Sequence, residues 1–234
     1  MSNLATVAVL SLQGGIFALF LVAVRRGDVA AAVNASAALV LALLPFFVEL
    51  VFQETVSSGV WVGPALPLWL SGAGFLHSLG MLGLYDSIRW WDHLTHTVSA
   101  ALFAALCYGV VIVALPEAAG VGGVFEAAAL VTVAFTFAGG VFWELIELVA
   151  RDVGERFEVE PVLIHYGWRD TAADLGFDVV GAALVVVADL RLFVPLVERF
   201  PEASRAVLVG AGLVVFAGSV AMASWLVLSD STTA

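Results

Sequence analysis

Seven apolar stretches run along the chain, at roughly 4–24, 29–52, 62–84, 93–115, 125–149, 171–190 and 204–228. A helix needs about 20 apolar residues to cross the hydrocarbon of a bilayer. Each run is continuous and lacks the polar alternation of a barrel strand, so helices are the spanning structure this pattern favours. It predicts an all-α polytopic membrane helix bundle of about seven transmembrane helices, forming a single transmembrane domain over residues 1–234. Pro45 and Pro64 are placed to kink or start helices. Gly14-Gly15 and Gly139-Gly140 permit close helix contact. No internal repeat and no low-complexity linker stands out.

Composition supports the same solvent. Of the 234 residues, 62% are hydrophobic and 12% charged, against about a quarter charged in a soluble domain. The mean hydropathy is +1.06. A water-soluble fold of this size has too large an outer shell to hide that much apolar surface. The acidic residues number 20 and the basic ones nine, for a formal charge of -11. All nine basic residues are arginine. That balance excludes a nucleic acid partner, which needs a basic surface, and a polybasic lipid anchor. An acidic, lysine-free chain suits a high-salt cytoplasm and points to a halophilic archaeon, with genome composition bias as the alternative. The absence of lysine also removes the retinal Schiff base that seven helices bring to mind. Cys107 is alone, so no disulfide within the chain and no cysteine-based zinc site can form. It reads as a small core hydrophobe.

Met1-Ser2-Asn3 offers no positive charge before the first apolar run, and Arg25 and Arg26 follow it. This reads as a first transmembrane helix with its N-terminus outside, not as a cleaved signal peptide. The loops after the first, third and fifth helices hold Arg25, Arg26, Arg89, Arg151, Arg156 and Arg169. Those after the second and fourth hold Glu54 and Glu117 and no arginine. Basic loops stay in the cytoplasm, which makes this a multi-pass protein of the plasma membrane with the odd-numbered connections inside. Arg191, Arg199 and Arg205 oppose that orientation, so the placement of residues 191–203 stays open.

Four polar segments converge on the same side under this topology. They are His77-Ser78 with Tyr85-Asp86, Trp91-Asp92-His93-Leu94-Thr95-His96, Trp143-Glu144 with Glu147, and Gly167 through Asp178. Residues three or four apart share a helix face. His93 and His96, Asp92 and His96, and Glu144 and Glu147 are such pairs. Asp170, Asp174 and Asp178 recur every four residues down one stripe. Ionisable groups inside a membrane are costly and mark functional sites. Asp92, His93, His96, Glu144, Asp170 and Asp174 are therefore the candidate catalytic residues. The same six form a ligand set for a divalent metal ion such as zinc, manganese or iron.

Plainer readings apply to each group. Asp92, Asp170 and Asp174 suit helix N-termini. Arg89, Arg151 and Arg169 suit ion pairs with these acids, and the tryptophans suit an interfacial belt. His77 suits a packing histidine and Glu147 a salt bridge, and His165-Tyr166, placed where it could hang over the site, suits a surface loop better. The HExxH and paired ExxH metal motifs are absent, as are GxSxG and the Walker A loop.

In combination, His77 with Gly83-Leu84-Tyr85-Asp86, Trp91 to His96, Trp143-Glu144 with Glu147, and Asp170-Thr171 with Asp174-Leu175 resemble the YjdF-like family of uncharacterised inner-membrane proteins. The resemblance covers about residues 70–185. The sixth apolar stretch is also similar to the last part of VanZ-like membrane proteins. The first resemblance implies a polytopic fold with this cluster as its signature, and it supplies no established reaction.

Three functions stay open. The first is a membrane enzyme with a cytoplasm-facing site, using a divalent metal to hydrolyse or modify a lipid-like substrate. The second is a small transporter, ion- or proton-coupled, with Gln13, Asn34 and Glu49 as the only candidates for a path through the opposite leaflet. The third is a structural protein whose cluster is an ion-pair knot. Membrane lipid is the expected partner in all three, and oligomeric state is left undetermined.

Overall fold

A computed structural model describes residues 3–52, 62–114, 121–163 and 165–231. Met1, Ser2 and the expected acidic loop residues Glu54 and Glu117 lie outside the described residues. The described chain is all-α, and its helices are α1 (Asn3–Arg26), α2 (Val29–Phe52), α3 (Ala65–Leu79), α4 (Trp91–Ala114), α5 (Val121–Phe157), α6 (Trp168–Val187), α7 (Val194–Arg199) and α8 (Pro201–Ser231). A π-helical turn, Gly80–Leu84, and a short helical piece, Tyr85–Ser87, extend α3.

Among the described residues, six helical stretches are long and apolar enough to cross a membrane: Leu4–Arg26, Val29–Val51, Ala65–Ser87, Trp91–Ala114, Phe125–Phe157 and Pro201–Ser229. The protein is a multi-pass membrane protein. Helix α6 has spanning length at 20 residues, but it carries Arg169, Asp170, Asp174 and Asp178. Each such charge costs about 2.5–3.5 kcal/mol at the centre of a lipid-facing helix. Its aspartates therefore have to face protein.

The chain divides into two compact units, Met1–Thr95 and His96–Ala234. In the first, α1, α2 and α3 pack against one another around Ile16, Ala35, Ala38 and Ala42, with Phe20, Leu39 and Phe75 closing over them. Alanines at the contact let the backbones approach, the usual device where lipid offers no hydrophobic drive between helices. The first turn between helices is tight. Gly27 N–H bonds the Val24 carbonyl and Asp28 N–H the Ala23 carbonyl, and Asp28 Oδ1 then caps α2 by accepting from Ala31 N–H at 2.8 Å.

The polar side chains of this unit are engaged locally. Gln13 donates to the Ala42 carbonyl at 2.9 Å. Glu49 accepts from Val62 N–H at 2.7 Å. Asn34 Nδ2 donates to the Ala30 carbonyl, which turns its Oδ1 to His77 Nε2 at 3.0 Å. The Tyr85 hydroxyl lies between His77 Nδ1 (2.7 Å) and Thr95 Oγ1 (3.3 Å). His77 thus bonds through both ring nitrogens, as a packing histidine does. The π turn folds the Tyr85 ring back against Gly80, where any Cβ would collide with it.

In the second unit α5 packs against both α6 and α8. Phe103 of α4 stacks on Phe135 of α5, with ring centroids 5.2 Å apart. Helices α4 and α6 meet at Gly181, where a Cβ would lie 2.5 Å from the Thr97 carbonyl oxygen and 2.9 Å from the Ala101 nitrogen. At the far end of α4 the buried Tyr108 donates to Asp189 Oδ1 at 2.6 Å. Asp189 also accepts from Arg191, and these two bonds hold its carboxyl below the usual range. Helix α8 keeps large apolar residues exposed along its length, among them Val207, Leu213, Phe216 and Val227, as a lipid-facing helix does.

Helix α5 has 37 residues and so is about 55 Å long, well beyond the roughly 30 Å of hydrocarbon. Its C-terminal end is correspondingly polar. Arg156 pairs with Asp152 at 2.8 Å, and the Trp225 indole donates to Asp152 at 3.0 Å.

The Gly181 contact is with backbone, which cannot swing away. Gly181→Ala is expected to destabilise by about 1–3 kcal/mol through overpacking. Gly176→Ala, in the same helix with nothing within 4 Å of its Cβ position, is expected to be neutral or to stabilise by up to about 1 kcal/mol. Thermal unfolding of both variants in detergent measures the contrast.

Candidate functional site

The second unit brings a histidine and several acids from three helices together. His96 lies on the second turn of α4, Glu144 and Glu147 lie past the middle of α5, and Asp170, Asp174 and Asp178 line the first three turns of α6. His96 Nδ1 meets Asp178 Oδ1 at 3.1 Å. His96 and Asp174 also present ligand atoms within 4.8 Å of each other. Asp178 reaches this position because α5 has Gly140 there, where any Cβ would collide with the Asp178 carboxylate and crowd Leu175.

Three carboxylates are almost completely enclosed. Glu144 is 4% exposed, Asp174 3% and Asp178 5%. Glu144 has Thr171, His96, Asp178 and Asp170 around it. The Thr171 hydroxyl is near enough to interact with it, but Glu144 Oε1 and the Thr171 hydroxyl oxygen are both buried without a well-formed hydrogen bond among the described residues. A buried polar atom left unsatisfied costs about 1–3 kcal/mol, and more when charged, so this orphan oxygen calls for an explanation.

A second group adjoins it. Glu144, Glu147 and His165 offer ligand atoms that all lie within 4.8 Å of one another. The Trp143 indole donates to Glu147 Oε1 at 2.9 Å. His165 comes from the α5–α6 connection, which the sequence pattern alone reads as a surface loop. Here it is half-buried beside two glutamates. Burial pushes its imidazole below the usual histidine range, Arg151 adds to this, and Asp170 opposes it.

Of the six residues singled out by sequence, His96, Glu144, Asp170 and Asp174 lie in this second unit. His96 and Asp174 are directly close, and Glu144 has His96 and Asp170 as neighbours. Asp170 is half-buried in the first turn of α6. Asp92 and His93 belong to the first unit, both half-buried on the opening turn of α4. The Asp92 carbonyl accepts from the Thr95 hydroxyl at 2.8 Å, and Asp92 precedes His96 by one turn of the same helix. Asp178, Glu147 and His165 complete the cluster. The four-residue stripe on α6 signalled Asp178. No local pattern signals His165, because only the fold of the connection brings it back to α5.

The chain belongs to the family described as Predicted membrane protein (DUF2238), whose model matches residues 7–194. This agrees with the resemblance to YjdF-like membrane proteins. The likeness of α6 to VanZ-like proteins is not among these matches. No curated protein and no solved structure matches the chain.

The depressed histidine has a measurable sign. With its folded value below its unfolded one of about 6.5, His165 is bound by more protons in the unfolded state as pH falls through that window, so stability declines there. His165→Asn is expected to flatten this acid-side loss, read as melting temperature against pH between about 7 and 5.

Proposed function

We propose that this DUF2238-family protein is a membrane-embedded, divalent-metal-dependent enzyme acting on a lipid-like substrate. The observation that carries the reading is the orphan Oε1 of Glu144, enclosed among His96, Asp170 and Asp178. In a dry interior several carboxylates repel one another and shift toward their neutral forms unless a cation offsets them. His96 and Asp174, with Glu144 near them, would hold an ion that offsets this repulsion and would give the Glu144 oxygen a partner. One imidazole with carboxylates suits zinc, manganese or iron.

The residues divide the work. His96 would offer a ring nitrogen to the ion, and its bond to Asp178 would orient the ring, as carboxylate partners of ligating histidines do. Asp170, half-buried at the rim, is placed to accept a proton from an attacking water. A bound divalent ion supplies polarisation and a water of lowered pKa.

Depth supports a substrate at the bilayer surface. If α5 enters the hydrocarbon near Phe125, its 20th residue is Glu144, which then sits at headgroup level. The exposed Trp143 and Trp168 nearby suit that level as well. The arginine distribution favours the cytoplasmic side of the plasma membrane. An acidic, lysine-free composition suits the high-salt cytoplasm of a halophilic archaeon.

The carrier reading draws on the Asn34–His77–Tyr85–Thr95 chain of hydrogen bonds in the first unit. It ranks second, since Gln13 and Glu49, the other polar residues expected along such a path, are tied to backbone groups.

The test is chelator-sensitive turnover. Detergent-purified protein mixed with total polar lipid is expected to alter a lipid species, detected by mass spectrometry. Chelation and Glu144→Gln are each expected to reduce the rate at least about 100-fold, the scale of removing a metal-held catalytic group. Folded protein without stoichiometric metal and without lipid turnover sinks the proposal.

A further inference from the structure

We propose that Glu147 and His165 form a second divalent-cation subsite, with Glu144 as the carboxylate shared between it and the His96–Asp174 subsite. The inference rests on the metal-dependent reading above and extends it from one ion to two.

Geometry gives the subsite its ligands. Glu144 and Glu147 lie three residues apart on α5, so their carboxylates leave the same face of the helix. His165 brings a ring nitrogen to them from another segment, and all three ligand atoms lie within 4.8 Å of one another. Two carboxylate oxygens and an imidazole make a donor set for zinc, manganese or iron. The Trp143 indole fixes Glu147 through one oxygen at 2.9 Å, the kind of outer contact that orients a ligating carboxylate.

The return of the chain to α5 is built in. Val159 N–H bonds the Gly154 carbonyl at 3.1 Å, and Pro161 packs over Gly154, where a Cβ would lie 3.2 Å from its ring. Gly154 thus allows the segment after α5 to turn back closely, and His165 lies four residues beyond Pro161.

Glu144 is the natural bridge. Its Oε1 makes no well-formed hydrogen bond among the described residues, and its carboxylate belongs to the Glu147–His165 group while also having His96 and Asp178 as charged neighbours. Charge points the same way. Glu144, Glu147, Asp170, Asp174 and Asp178 bring five carboxylates to one end of this unit. A single divalent ion leaves most of that charge unmatched, and two come close to balancing it. Bridged pairs of ions about 3.5–4 Å apart clamp the attacking and leaving oxygens of an in-line displacement. A phosphoester headgroup is the lipid chemistry such a pair fits.

The experiment is manganese loading of the full chain in detergent, with stoichiometry by mass spectrometry and coupling by electron paramagnetic resonance. The parent is expected to bind two ions per chain with an exchange-coupled spectrum. His165→Ala and Glu147→Gln, checked for helicity by circular dichroism, are each expected to hold one ion with an uncoupled spectrum. One ion in the parent that survives His165→Ala and disappears in His96→Ala overturns the second subsite and leaves the first standing. No ion in the folded parent overturns both.

Discussion

An ionised carboxylate between apolar helices has to be matched by another group or it empties the fold of stability. Asp178 states that constraint most sharply. It lies on the third turn of α6 and is 5% exposed. Its match is His96, reached across 3.1 Å. That contact exists only because Gly140 leaves room for the carboxylate on one side, and Gly181 lets α6 lie against the backbone of α4 on the other. The small residues are thus part of the polar site, since they set the helix separations at which its side chains meet.

The same constraint explains why α6 differs from the six apolar spans. A helix carrying Asp170, Asp174 and Asp178 on one stripe is poorly suited to lipid, whatever its length. Packed against α5, with its aspartates turned to His96 and Glu144, it leaves Val180, Leu184 and Val187 exposed on its opposite face. Polarity on one side and hydrocarbon on the other follow from a single helical period.

The reach of α5 beyond the bilayer organises the remainder of the site. Its first part is an ordinary apolar span that stacks on α4 and α8. Its last part carries Glu144, Glu147 and then a solvated run of paired charges. The chain that follows turns back at Gly154 to add His165. The outcome is a cluster drawn from three helices and a connection, in which Glu144 Oε1 and the Thr171 hydroxyl lack a well-formed hydrogen bond among the described residues.

Helix positions, membrane class and most of the acids were legible from residue pattern alone, because the solvent decides them locally: about 20 apolar residues must form a helix in lipid, and a four-residue spacing must share a face. Helix order also indicated that the starts of α4 and α6 and the latter part of α5 belong at one end. Pattern could not show that Asp178 is the residue that meets His96, that Glu144 keeps an orphan oxygen, or that His165 lies beside two glutamates instead of in solvent. Those facts depend on how closely helices approach and on the path of a connection. Both are set by contacts between separate segments of the chain, His96 and Asp178 being 82 positions apart, and such spacings leave no periodic trace in the sequence.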